Sequence, residues 1–204
     1  KHAGSGAIAQ NEEFIATRLG WLNEQNDVVS VRPINSAYMP RSGDLIVGVV
    51  AEVRNNLWFF DVNGPFQALL PMSLAPWKVE FGSTRQHLGI GDAALARVQE
   101  VDEAHNMVLT MKGIGLRRLN EGCVIAIPVN LIDTLRGDNN SIVGKIRDLT
   151  DCRIIVADNG RVWVHGDADN MFTVRGLIQT LVDEGHMNNF EDAVNALEQQ
   201  RGEN

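Results

Sequence analysis

"GDLIVGVVAEVRNNLWFFDVNGPFQALLPMSL", residues 43–74, is the stretch whose reading decides the fold. Apolar residues dominate 44–53, interrupted only at Gly48, which reads as a kink in a long strand. Asn55-Asn56 reads as a turn of positive φ, because asparagine tolerates the left-handed region. The chain then resumes as a second strand over 55–62, turns again at Asn63-Gly64-Pro65 and gives a third strand over 66–70. Alternation in the second strand puts Trp58, Phe60 and Val62 on one face and Phe59 and Asp61 on the other. The first set is a core face. Phe59 is left on the outside.

Outward from this stretch, residues 73–91 are largely polar, and 92–102 and 106–112 read as two further strands about a turn at Glu103-Ala104-His105. Five strands with one long excursion between the third and fourth fit a five-stranded OB-type barrel. Upstream, residues 1–42 are short strand-like pieces, with Val28, Val29, Val31 and Ile34 among polar residues and Pro40 and Gly43 as punctuation. That segment is too small to fold alone and is expected to lie against the barrel.

Downstream, 113–120 reads as a linker. A strand (122–129), a short helix (130–136), a loop and a helix carrying Ile142, Ile146 and Leu149 on one face come next. Ser141 is positioned to cap that helix, and Gly144 reads as a close-packing position on it. Residues 152–157 and 161–166 flank Asp158-Asn159-Gly160 as a β-hairpin, since Asn-Gly takes positive φ cheaply. Helices over 170–184, ending at Glu184-Gly185-His186, and over about 189–200 close the chain. The order is βααββα plus a last helix. The expected class is therefore mainly β plus α/β, divided into 1–42, 43–113 and 121–204.

The chain has 204 residues and a formal net charge of −8, unlike a free-standing basic nucleic-acid binder. The acidity is loaded at the C-terminal end: beyond His165 stand Asp167, Asp169, Asp183, Glu184, Glu191, Asp192, Glu198 and Glu203 against Arg175 and Arg201. Positive surface can therefore persist in the middle of the chain. Cys123 and Cys152 form no Cys-x-x-Cys pair and the five histidines are scattered, so no zinc site is expected. The two thiols read as reduced and buried, in a cytosolic protein. No run of 18 apolar residues occurs.

The residues bear on several chemistries. "RGDNNSIVGKI" (136–146) fails as a P-loop: six residues separate Gly137 from Gly144, and Ile146 offers no hydroxyl for magnesium. The same loop reads either as an RNA-clamping turn or as an ordinary helix joint. Phe59, with Arg54, Lys78, Arg85 and Arg97 in the same unit, fits the stacking-plus-phosphate way in which OB-type barrels hold single strands. The excursion "APWKVEFGSTRQHLGIGD" (75–92) reads either as an RNA-facing arm or as a docking arm anchored by Trp77. No nucleophile elbow, paired-carboxylate motif or dinucleotide loop is found, so neither a catalyst nor a cofactor is expected.

The chain resembles the S1/KH RNA-binding cap subunits of the archaeal RNA exosome, of the ribosomal-RNA-processing type, over nearly its whole length. Residues 43–74 and "TRQHLGIGDAALARV" (84–98) are similar to an S1 barrel, and "KGIGLRRLNEGCVIAI" (112–127) to the S1-to-KH junction. "CRIIVADNGRVWVHG" (152–166) is similar to the hairpin in which family members carry Gly-x-Asn-Gly, and 28–44 to the small β segment before S1. Asn140 stands where the KH loop has its second glycine, and Pro71 where S1 domains often have histidine. The resemblance implies a small N-terminal β segment, an S1 domain and a type I KH domain. It implies three copies on a hexameric phosphorolytic ring, capturing single-stranded RNA 3′ ends, with a tendency toward adenine-rich tails, while the ring does the chemistry. The expected RNA-binding residues are Arg54, Phe59, Lys78, Arg85, His87 and Arg97 in S1, and Arg136, Gly137, Asn139 and Lys145 in KH. The competing expectations are a scaffold with little RNA contact and a stand-alone S1/KH factor.

Overall fold

Strand alternation builds the central barrel. In the computed structural model, which describes residues 1–4, 6–11, 13–25, 27–33, 37–184 and 189–202, the chain opens with β1 (His2–Ala3), β2 (Ala7–Gln10), β3 (Glu13–Ala16), β4 (Gly20–Gln25) and β5 (Val28–Pro33). β1, β5 and β4 form one small sheet and β2–β3 another. Ile34 and the helix end expected at Gly185-His186 lie outside the described residues.

Five strands follow: β6 (Leu45–Val53), β7 (Leu57–Asp61), β8 (Ala68–Pro71), β9 (Ala93–Val101) and β10 (Met107–Thr110), with a single-turn helix α1 (Thr84–His87) in the excursion before β9. They pair in the order β10-β8-β7-β6-β9, and β10 also pairs with β9, which closes the barrel. Closure removes free edges. Inside, Trp58, Phe60, Val62, Ile46, Leu70, Leu88, Met107 and Leu109 are fully buried. Each such large side chain stabilises the fold by about 1.5–3 kcal/mol.

Three readings of this region change. Gly48 is no kink: it sits in register opposite Ala94, and a Cβ there would lie 2.7 Å from the Phe60 ring. It is glycine because the ring lies over it. Asn55 and Asn56 do not take positive φ. The Arg54 amide reaches the Leu57 carbonyl at 2.9 Å across a wider loop that does not need it. The linker at 113–120 contains a sixth strand, β11 (Arg117–Leu119), paired with β9.

The C-terminal unit has β12 (Cys123–Ala126), α2 (Ile132–Arg136), α3 (Ser141–Thr150), β13 (Arg153–Val156), β14 (Arg161–His165), α4 (Ala168–Glu184) and α5 (Asn189–Gly202). Its antiparallel sheet runs β12-β14-β13. This is the expected βααββα order with one added helix, beside the five-stranded OB-type barrel. Helix α3 buries Val143 and Ile146, with Ile142 and Leu149 only partly covered. Ser141 starts α3 rather than capping it. Asn140, in left-handed conformation, holds the cap position without a side-chain bond. Gly144 meets nothing within 4 Å, so it is not a packing position. Cys152 is buried and Cys123 half-buried, both as free thiols, and burial pushes the Cys123 thiol up.

The hairpin of β13 and β14 joins the two units. Only Gly160 (φ 71°) in its turn is left-handed, not Asn159. The three-residue loop is a turn plus bulge, which asks for one such residue. This frees Asn159, 0% exposed, to enter the barrel. Residues 45 and 47 of β6 point their amides and carbonyls away from β9, where β7 has not yet begun to pair. The hairpin tip fills that place. Asp158 donates its amide to the Leu45 carbonyl (2.8 Å) and accepts the Leu45 amide on its carboxylate (2.7 Å). Arg161, 8% exposed, donates to the Asp61 carbonyl (2.6 Å) and carboxylate (2.8 Å). Beside these bonds Val47, Leu95, Leu119, Ala157 and Trp163 form an apolar seam. Tyr38, 2% exposed, links the N-terminal segment to the barrel core and donates to Asp44 at 2.7 Å, and burial pushes its phenol up.

Candidate nucleic-acid interface

Phe59 pairs across β7 with Glu52 of β6 and Leu69 of β8, and its outward ring is only half-buried. The Arg54 guanidinium lies 4.8 Å from the ring centroid and donates to Glu52 at 2.8 Å. Such an exposed cation–π contact is worth about 0.5–1 kcal/mol. It fixes the guanidinium over the aromatic face rather than consuming its charge, since the exposed pair with Glu52 is weak.

The excursion between β8 and β9 is polar in composition yet pinned to the barrel. Leu88 is 0% exposed, and its carbonyl accepts the Trp58 indole N–H at 3.0 Å. The Thr84 hydroxyl donates to the Arg54 carbonyl at 2.6 Å, and the Gly82 amide to the Asn55 carbonyl at 2.8 Å. These bonds hold the arm against the β6–β7 turn. Arg54, Phe59, Lys78, Arg85 and His87 thereby come to one end of the barrel. Lys78 and Arg85 are exposed, and no ion pair among the described residues involves either. His87 stacks on Trp77 at 5.4 Å and 19°, and Trp77 packs on the barrel core. The arm's exposed aromatic is instead Phe81, at 72% exposure. The sequence reading passed over it. Its signal was a lone Phe before a glycine, between Lys78 and Arg85, in a stretch otherwise poor in apolar residues.

The other candidates lie elsewhere. Arg97 pairs with Leu45, eight residues along β6 from Val53, or about 26 Å at 3.3 Å per residue. Its guanidinium donates to the Gly43 carbonyl. Arg136 donates to the Val156 carbonyl and the Asp158 carboxylate, both at 2.7 Å, and so supports the hairpin tip. Gly137 has φ 67°, and a Cβ there would come 2.6 Å from Ile142. Asp138–Asn140 make a tight 3-10 turn in which Asn139 and Asn140 are left-handed and exposed. Lys145 is held by Glu198 (2.6 Å) and Asn195 (2.7 Å) of α5.

Chemically, the barrel end offers ring faces, guanidinium N–H groups and an ammonium, which suit stacked bases and phosphates. No group of three His, Cys, Asp or Glu among the described residues is placed to hold a metal. Among the described residues, no helix is long and apolar enough to cross a membrane.

Relatives carry the comparison further. An exosome complex component Rrp4 of Picrophilus torridus is 30% identical over 201 residues, covering 98% of this chain and 87% of the relative. The Rrp4 of Thermoplasma acidophilum is 30% identical over 177 residues, 87% of this chain and 75% of the relative. The Methanobrevibacter smithii Rrp4 is 30% identical over 95% of this chain, which spans 64% of that relative's length. A crystal structure of a protein assigned as an exosome complex RNA-binding protein superposes with a TM-score of 0.73 at 25% identity, over 81% of this chain and 98% of the other. No family model matches the sequence. The chain belongs to the Rrp4 family of exosome complex components.

Proposed function

We propose that this chain is a non-catalytic RNA-binding cap subunit of an archaeal exosome-like complex. It captures single-stranded RNA 3′ ends and passes them to a phosphorolytic 3′–5′ exoribonuclease ring. The observation that supports this is the gathering of Arg54 stacked on Phe59, exposed Phe81, and Lys78 and Arg85 outside any described ion pair, at one end of the barrel. In this reading three copies frame the entrance of a hexameric ring, so that their cations add at one pore despite each chain's net acidity. Adenine-rich tails are the favoured strands, and the site of action is the cytoplasm. Residues 1–42, 43–113 and 121–204 are the three units of the cap.

The test is degradation of an A-tailed strand by the reconstituted ring, with and without this chain, at two salt concentrations. Faster degradation that fades with salt supports capture. A Lys78→Glu/Arg85→Glu double variant then loses the gain while still assembling.

A second reading, a scaffold with little RNA contact, is favoured by the KH side alone: Arg136 and Lys145 are both held in internal pairs. A ring that degrades RNA equally well without the chain, but falls apart more readily, supports the scaffold.

A further inference from the structure

A line of three arginines and a histidine crosses the seam between the barrel and the KH sheet. On β9, Leu95 and Arg97 share the outer face, and Arg117 of β11 stands opposite Leu95. Arg97 and Arg117 are thus diagonal neighbours, about 7–8 Å apart on one sheet face. The Arg117 guanidinium lies 5.6 Å from the Trp163 ring centroid. His165 stacks on the same indole at 5.7 Å and 16°. Arg153 is the cross-strand partner of His165, about 5 Å away. Arg97, Arg117, His165 and Arg153 therefore form one continuous stripe, which begins on S1 and ends on KH.

The charge of this stripe is not neutralised. Elsewhere in this acidic chain Arg54, Arg118, Arg136 and Arg161 each face a carboxylate. No described carboxylate forms an ion pair with Arg97, Arg117 or Arg153, all exposed, and the described ion pair on the stripe is that of Glu121, 3.7 Å from His165. The stripe's apolar floor is already buried, with Trp163 only 5% exposed. A protein interface needs an apolar centre to desolvate, and here Leu95 and Trp163 are already buried, leaving Val124, opposite Trp163 on β12 and 36% exposed, as the apolar surface beside the stripe. Base stacking is closed off for the same reason. What remains is a row of N–H donors: Arg117, held by its indole and by one bond to the Gly115 carbonyl (3.2 Å), and Arg97, held by one bond to the Gly43 carbonyl, keep their other N–H groups for successive phosphates.

We propose that the S1–KH seam is a second RNA contact, binding the phosphate backbone of a single strand that has already engaged the barrel end. This rests on the RNA-binding reading above. It also gives Arg97 a role that its distance from Phe59 denies it at the barrel end.

The test uses the full chain and two single-stranded RNAs: one of about 6 nucleotides, within the span one OB fold takes, and one of about 20. In Arg117→Gln/Arg153→Gln the longer strand binds about 10-fold more weakly, and its log–log salt slope shrinks by about 1.4, two contacts at 0.7 each. The shorter strand binds as before. Arg153→Gln alone, which leaves the indole stack intact, gives about half that change in slope. Phe81→Ala weakens both strands. If the double variant keeps wild-type affinity and slope for the longer strand while Phe81→Ala weakens it, the seam is not a contact and the barrel reading stands. If neither variant weakens either strand, the RNA-binding reading falls and the seam with it. If RNA binding is unchanged but the double variant no longer assembles with ring subunits, the stripe is a protein-docking surface and the proposal is overturned.

Discussion

Asn159 and Val47 bond to each other as paired strand residues do, although one of them uses its side chain. The Asn159 carboxamide donates to the Val47 carbonyl at 2.9 Å and accepts from the Val47 amide at 3.3 Å. The same nitrogen reaches the Val62 carbonyl at 2.9 Å, and the Asn63 side chain donates back to the Asn159 carbonyl at 3.1 Å. A hairpin from one unit thus supplies the missing neighbour to the first half of a barrel strand in another. The seam stripe and the barrel-end cluster keep fixed relative positions because of this joint.

Asn159→Ala leaves two buried carbonyls and one buried amide without these partners. The expected loss is about 3 kcal/mol in urea unfolding, since each orphaned buried group costs about 1–3 kcal/mol and neighbours are not additive. Asn159→Asp, which cannot donate, is also destabilised. A wild-type midpoint in the alanine variant would remove the Asn159 side chain from any role in holding the units together.

The joint also carries a pH signature. Desolvation raises the Asp61 pKa, but the Asn63 amide and the Arg161 guanidinium outweigh it and hold the carboxyl below the ordinary range. A depressed folded pKa contributes stability that is full above the unfolded value of about 3.9 and is lost as pH falls through the folded one. Asp61 is 58% exposed, so the effect is screened and amounts to about 1 kcal/mol or less. Asp61→Asn is therefore slightly less stable than wild type at pH 7, and the two melting temperatures converge below about pH 3.9. A difference that persists unchanged into acid would refute the ion pair as its cause.

Two glycines respond in opposite directions. Gly48→Ala forces a methyl to within 2.7 Å of the Phe60 ring in a filled core, at a cost of about 1–3 kcal/mol. Gly144→Ala places the same methyl in open space on α3, where alanine's better helix propensity adds about 0.8–1 kcal/mol. Thermal melts of the pair read both signs, and equal effects would contradict the packing described around Gly48.

At the barrel end, Phe59→Ala and Phe81→Ala each remove a ring face. Each is expected to weaken single-stranded RNA binding by about 1–3 kcal/mol with little change in salt slope, as for a lost stacked base. Arg85→Gln instead lowers the slope by about 0.7. Fluorescence titration at several salt concentrations separates the two kinds of loss. Lys145→Ala, which breaks only the contacts to Asn195 and Glu198, leaves RNA affinity where it was and lowers stability slightly.

By itself the sequence determined the order of the main strands and helices, though not β11 or the single-turn α1. Period-2 alternation around Trp58 and Phe60 sorted core from surface, turn residues marked the strand ends, and helical periodicity placed the later helices. Those signals are local, and each acts within a few residues along the chain. Only the tertiary structure decided which candidates meet. Arg54, Phe59, Lys78 and Arg85 share one barrel end because Thr84 and Gly82 pin the arm to a turn some thirty residues away in sequence. Arg97 is removed from them by strand register. Arg136 and Lys145 are engaged by Asp158 and Glu198 across folded distances that no periodicity encodes. Phe81 and Trp77 look alike as loop aromatics in the sequence, and packing alone exposes the first while half-burying the second. Pairing, burial and charge neutralisation join residues far apart in the chain, so they become fixed only when the barrel closes and the hairpin tip enters it.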